Sequence, residues 1–170
     1  ILIENKRNLG FVRSVNRGLS ASTGDVVIVN TDTELPTKWL ERLIRPLQLD
    51  ETIASATPMT NSGTICSFPN FLENNALFDH LSLKTIDEQF SKMIPIYTEV
   101  PTGVGFCMAM SGKVLAKIGT LDLAKATVRK MTGASGPSRR DLKTSSLKTC
   151  LSTTNMAGVS KTRKSKLYVR

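Results

Sequence analysis

The chain has 170 residues, 40% of them hydrophobic, with 23 Lys and Arg against 14 Asp and Glu, a formal net charge of +9. That length supports one domain with a genuine core, and three scattered cysteines (Cys66, Cys107, Cys150) exclude a disulfide framework or a cysteine-built zinc site. The charge points to an anionic partner, yet residues 1–122 hold 11 basic and 13 acidic side chains while residues 123–170 hold 12 and one, so the body itself is not basic.

No apolar stretch approaches the roughly 20 residues that cross a bilayer, and the cysteine usage fits a reducing compartment, read as cytoplasmic. The chain opens inside an apolar run, "ILIEN", with no initiator methionine, which we read as a truncated start. Residues 1–5 alternate as a short strand does, and "NKRNLG" follows as a loop whose Gly10 is free to take backbone angles other residues avoid. Val12, Val15, Leu19 and Ala21 predict a helix over residues 11–22, stopped by Gly24. "DVVIVN" reads as a buried strand that ends on Asn30, Thr31 and Asp32. A helix is expected from Pro36 through "TKWLERLIRPL", then a strand at "TIASATP".

Residues 58–75 are turn-rich, with two prolines, a glycine and four asparagines; a loop this long is functional or mobile in most compact domains. Further on, "IDEQFSKMI" reads as a helix and "GVGFCMAM" as a strand. "SGKVLAKIG" reads as a helix with Ser111 at its N-cap and Gly119 at its stop. Strands alternating with helices predict an α/β domain with a mostly parallel sheet flanked by helices. Ligands of such sheets bind at the carboxyl ends of strands, where Asn30, Thr31 and Asp32 fall. A carboxylate there suits a hard cation bridging to phosphates, or it caps the next helix or closes an Asx-turn. The spacing alone leaves both readings open.

The string "NLGFVRSVNRGLSASTGDVVIVNTDTELPTKWLERL" resembles family 2 glycosyltransferases, inverting enzymes of the Rossmann-like GT-A fold. Their ordered run of Asn-x-Gly-Phe, Asn-x-Gly, Gly-Asp and Asn-x-Asp-Thr is met by Asn8, Gly10 and Phe11; Asn16 and Gly18; Gly24 and Asp25; and Asn30, Asp32 and Thr33. "VPTGVGFCMAMSGKVLAKIGTLD" resembles the family's acceptor-side strand and helix, so the likeness covers residues 1–122, an incomplete GT-A domain. It implies a nucleotide-sugar donor, a glycan or other hydroxyl-bearing acceptor, a role in polysaccharide biosynthesis, and a divalent cation (Mn2+ or Mg2+) at Asp32. Asn8, Gly10, Asn30 and Asp32 would line the nucleotide site, and the backbone of Pro101, Thr102, Gly103 and Gly105 would face donor sugar and acceptor. Asn30 stands where other members carry the first Asp, and Thr33 replaces the second Asp of Asp-Asp variants, which lowers the expected metal affinity. The loop at residues 57–69 is a candidate to close over substrate. Trp39 reads as core or boundary packing, His80 as a surface residue, Cys107 as a buried, inert thiol, and Lys6 and Arg7 as a solvated loop.

An inverting transferase needs a carboxylate base for the acceptor hydroxyl, and the family carries it in a run like Gly-Tyr-Gly-Glu-Glu-Asn-Asp-Trp-Cys-x-Arg after the acceptor strand. Here "LAKATVRKMTGASGPSRRD" follows Asp122 and has no such carboxylates. Back-translating residues 123–139 and joining each codon's third base to the next codon's first two permits "FGKGYGEENDWCQRAIE", with Met131–Thr132 forcing an aspartate codon. The same offset lets "LSTTNMAGVS" become "FVYHKHGGSF", with a glycine forced at Met156–Ala157. Both strings resemble the family's carboxyl-terminal segments, so residues 123–170 read as an out-of-frame, basic tail of disordered or irregular chain, and the protein as a catalytically inactive fragment. The rival reading is a non-catalytic binding module whose tail contacts nucleic acid or an anionic membrane surface. It lacks aromatic interleaving and any nucleic-acid-binding motif, so no specific nucleic acid is expected.

Overall fold

The computed structural model describes residues 2–63, 65–76, 81–121 and, for the backbone, 148–159. Helix α1 (Phe11–Ser20) starts at Gly10, whose φ of 75° lies in the left-handed region that favours glycine. It ends on Ala21, whose N–H donates to the Gly18 carbonyl while the Ser22 N–H donates to that of Leu19, so Gly24 is not its stop. Strand β1 (Val26–Val29) follows, then the two-residue β2 (Thr33–Glu34) and α2 (Trp39–Leu49). The expected start at Pro36 is displaced to Trp39 because Lys38 sits at φ 57°, outside helical space. Arg42 steadies that turn, donating to the carbonyls of Thr37 (3.0 Å) and Lys38 (3.3 Å) and pairing with Asp87 at 2.8 Å.

Strand β3 (Ile53–Thr60), α3 (Leu83–Phe90), β4 (Tyr97–Val100), β5 (Cys107–Met110), α4 (Gly112–Ile118) and β6 (Lys148–Val159) complete the described chain. The strand expected at residues 1–5 is absent: residues 2–5 have no regular structure. Their polar groups turn to α1 instead, where Arg17 takes the Glu4 carbonyl (3.2 Å) and the Asn5 side chain, and Asn5 donates to Ser14 (2.8 Å).

Strand order is β1-β5-β3-β6-β2, with β4 also on β6. The mostly parallel sheet is corrected here. Among the described strands only β3 and β6 pair in parallel; β1·β5, β3·β5, β4·β6 and β2·β6 are antiparallel. The β1–α2–β3 crossover does leave β1 and β3 running the same way, since both oppose β5. Their direct pairing is lost because β5 slots between them, Met110 opposite both Val26 and Ser55.

The tail also departs from expectation in part. Residues 148–159 form a twelve-residue strand flanked by β3 and β4, with Cys150 opposite Ala56 on one side and Glu99 on the other. Ladder bonds on two sides order a Thr-rich segment that has no amphipathic period of its own. The remaining tail calls lie outside the described residues, as does His80.

The sheet is packed on both faces. Leu43, Leu47, Ile53, Ala56, Cys107 and Ala109 form one cluster under α2, with half-buried Trp39 against it. Val15, Leu19, Val26, Ile28, Met108 and Met110 form the other under α1 and α4, joined by Leu115 and Leu121. The period of two in β5, Cys107 and Ala109 one way and Met108 and Met110 the other, follows from the pleat. The turn-rich loop is a knit structure: Thr60 pairs with Ser67 and Ser62 with Asn74, and Asn75 bonds both the N–H and the carbonyl of Asn70 at 3.0 Å. Leu43 is fully buried and Leu49 is 66% exposed. Leu43→Ala is therefore expected to cost about 2–5 kcal/mol and Leu49→Ala less than about 0.5 kcal/mol, read as urea midpoints.

Candidate active site

The apolar side chains of β1 run out at Val29, and the backbone turns at once. Asn30 donates its N–H to the Phe106 carbonyl (2.7 Å), and the Thr33 N–H returns to the Asn30 carbonyl (3.2 Å). The Thr33 hydroxyl reaches the same Phe106 carbonyl at 3.4 Å. The Asn30–Thr33 turn is thus stitched to the segment leading into β5. Asp32 lies on this turn, half-buried, and among the described residues its carboxylate has no hydrogen-bond partner. It does not cap α2, whose N-cap is Lys38 without a side-chain bond. Neither bland role of Asp32 is formed among the described residues.

The loop before α1 reaches this edge from the other side. Asn8 accepts the Gly10 N–H at 2.8 Å, an Asx-turn that sets up the left-handed Gly10. Phe11, the next residue, would lie 3.6 Å from a Cβ on Gly105. The 8–11, 30–33 and 103–106 segments therefore meet at the carboxyl end of β1, and both Asn8 and Gly10 are exposed there. Pro101 is exposed at the end of β4, and half-buried Thr102 turns its hydroxyl to the Gly103 carbonyl (3.3 Å). Gly103 is buried, and a Cβ on it would fall 2.4 Å from the Met108 sulfur and 3.6 Å from the Ser55 hydroxyl. Lys6 and Arg7 are exposed.

Thr57 was not singled out by the sequence. Fully buried in β3, it donates its hydroxyl towards the carbonyls of Cys107 (3.0 Å) and Val104 (3.4 Å), holding the 104–107 bend against the sheet. Its signal was a hydroxyl inside an otherwise apolar strand, which must find an acceptor when buried. Asp25, the acid of the Gly-Asp pair, accepts the Gly112 N–H (2.8 Å) at the start of α4. Gly24 presses close enough that a Cβ on Gly112 would sit 2.5 Å from its backbone.

Among the described residues there is no group of three or more His, Cys, Asp or Glu that could hold a metal. A half-buried carboxylate, unpartnered among the described residues, still fits a hard cation whose other ligands are phosphate oxygens and water. It does not fit an all-protein cage. No described helix is long and apolar enough to cross a membrane. The shallow hollow lined by Ile3, Arg13, Asn16, Arg17 and Ser20 includes none of the predicted site residues.

Burial pushes the Cys107 thiol up to about 12 and Cys66 to about 11. Both are expected to stay unalkylated by iodoacetamide at pH 8 in the folded chain and to react after denaturation, as peptide mapping would show. The folded state keeps these protons where the unfolded chain releases them, so stability from this source falls as pH rises above about 8.5. Gly103→Ala is expected to destabilise by about 1–3 kcal/mol, because buried Met108 has no room to yield, measured by urea unfolding.

A family model described as glycosyl transferase family 2 matches residues 1–119. None of the curated proteins matches the chain. The matched span holds every motif residue placed above and stops at Gly119, the left-handed residue (φ 81°) that ends α4.

Proposed function

The chain belongs to glycosyl transferase family 2, and from that membership we propose that its body derives from an inverting, metal-assisted sugar transferase that has lost its base in this reading frame. At family level the activity is glycosyl transfer, with binding of a nucleotide-sugar donor and an acceptor. The observation that carries the finer reading is Asp32: an acid just past the carboxyl end of β1, unpartnered among the described residues, where three motif-bearing segments meet.

In this reading Asp32 binds the cation, and Asn30 supports the turn that presents it. Asn8 and Gly10 line the nucleotide side. The backbone of Pro101, Thr102, Gly103 and Gly105 faces donor sugar and acceptor, with Thr57 and Met108 holding that bend in place. The cation, when bound, supplies positive charge against the departing diphosphate. A carboxylate that takes the acceptor proton is required for inversion, and "LAKATVRKMTGASGPSRRD" after Asp122 has no Glu-Glu-Asn-Asp run, its one acid being Asp141 at the far end. The segment permitted by the shifted frame restores a Glu-Glu-Asn-Asp run, with a third glutamate at its end.

The chain as it stands is expected to show no turnover with Mn2+, nucleotide-sugars and hydroxyl acceptors; turnover above blank sinks the inactive reading. Sequencing the gene through codons 119–125 is expected to reveal the break in frame. Read in the restored frame from the complete gene, the protein is expected to bind nucleoside diphosphate only with Mn2+. Asp32→Ala should abolish that binding in equilibrium dialysis. Undiminished binding removes Asp32 from the site.

A further inference from the structure

Two polar residues of the motif are not at the carboxyl edge of β1. Asp25 caps α4, and Asn16 lies halfway along α1, where its carboxamide makes two bonds to one distant peptide unit. Its Nδ2 donates to the Leu121 carbonyl and its Oδ1 accepts the Leu121 N–H, both at 2.8 Å and across 105 residues. A carboxamide is the side-chain group that offers a donor and an acceptor in one plane, as a peptide does. Asn is a poor residue for a helix interior, so its use in α1 points to this paired demand.

The direction of the chain gives the clamp its purpose. Met110 lies opposite Val26, so β5 ends beside the amino end of β1. There Asp25 takes the Gly112 N–H and α4 begins. Helix α1 runs the opposite course to β1, its Phe11 near Gly105 at the carboxyl edge and its end close before Val26. After α4 and Gly119, the chain is caught by Asn16 while returning along α1, with the Leu121 side chain on the cluster of Val15, Leu19 and Met108.

We propose that Asn16 is a positioning residue, whose carboxamide fixes the Leu121 peptide on α1 and so sets the point from which the following segment of the sequence must start. The part of this inference that concerns catalysis rests on the transferase reading above, in which the base-bearing segment begins one residue further on. Asn75, bonded in the same two-point way to Asn70, holds a loop with no such continuation and serves as an internal control.

The test compares Asn16→Leu and Asn16→Asp with the unaltered full chain by amide hydrogen exchange. Asn16→Leu is expected to speed exchange at Leu121 by about tenfold, leaving Val26–Val29 and Cys107–Met110 unchanged. Asn16→Asp is expected to protect Leu121 near pH 4, where a protonated carboxyl mimics the carboxamide, and to lose that protection by pH 7, once intrinsic rates are corrected. Unchanged exchange at Leu121, or a rise shared equally with the sheet, overturns the clamp. In the frame-restored product, Asn16→Leu is expected to lower kcat about tenfold with donor KM unchanged; undiminished kcat overturns the positioning role. A frame-restored product with no turnover overturns the transferase reading instead, and Leu121 exchange still decides the clamp.

Discussion

The insertion of β5 between β1 and β3 is the constraint on which the described structure depends. Four residues, Cys107 to Met110, are all fully buried and pair with β1, and Ala109 and Met110 pair with β3 as well. Their amino end carries the 103–106 bend that meets Asn30 and Thr33, and their carboxyl end carries α4. A strand of this kind cannot slip by one residue, because the slip would exchange the Cys107/Ala109 face for the Met108/Met110 face and spoil both clusters at once. Register in β5 therefore sets where the candidate site's backbone lies. Thr57 and Asn30 reinforce that placement by bonding the carbonyls on either side of the bend.

Local pattern was enough to locate most elements. The run Val26–Val29, the apolar period of α1 and the Ser111–Gly119 helix were all legible, because each carries its own signal of burial or termination. Strand partners were not legible. The alternation of β1, α2 and β3 correctly implies two strands of common direction, but nothing in residues 97–110 announces that the later strand will invade between them. The residues at 1–5 show the complementary failure. Their alternation is that of a strand, but a strand exists only with a ladder, and the donors and acceptors there are spent on Arg17 and Ser14. Strand β6 is the reverse case, where ladder bonds order a segment that composition marked as irregular.

The motif string proved to mix two kinds of residue that a linear reading cannot separate. Asn8, Gly10, Asn30 and Asp32 converge on one edge, whereas Asn16, Gly24 and Asp25 bind the 112–121 segment back onto the amino-terminal half. The second group makes contacts at separations of 87 and 105 residues, so no local spacing betrays its role. Thr57 was invisible for a related reason: its value lies in two carbonyls some fifty residues away.

The isolation of Asp32 has a thermodynamic consequence for the proposed chemistry. A carboxylate that keeps contact with water is not heavily penalised for lacking a partner, so the turn can present it ready for a ligand. One such group is also too little to hold a hard cation tightly, since most of the coordination must come from elsewhere. Diphosphate oxygens would supply it, and each ligand would then raise the affinity for the other by the same factor. Replacing a second acid by Thr33 pushes the site further toward that mutual dependence. A hydroxyl already engaged with the Phe106 carbonyl steadies the turn and adds no charge to attract a free cation.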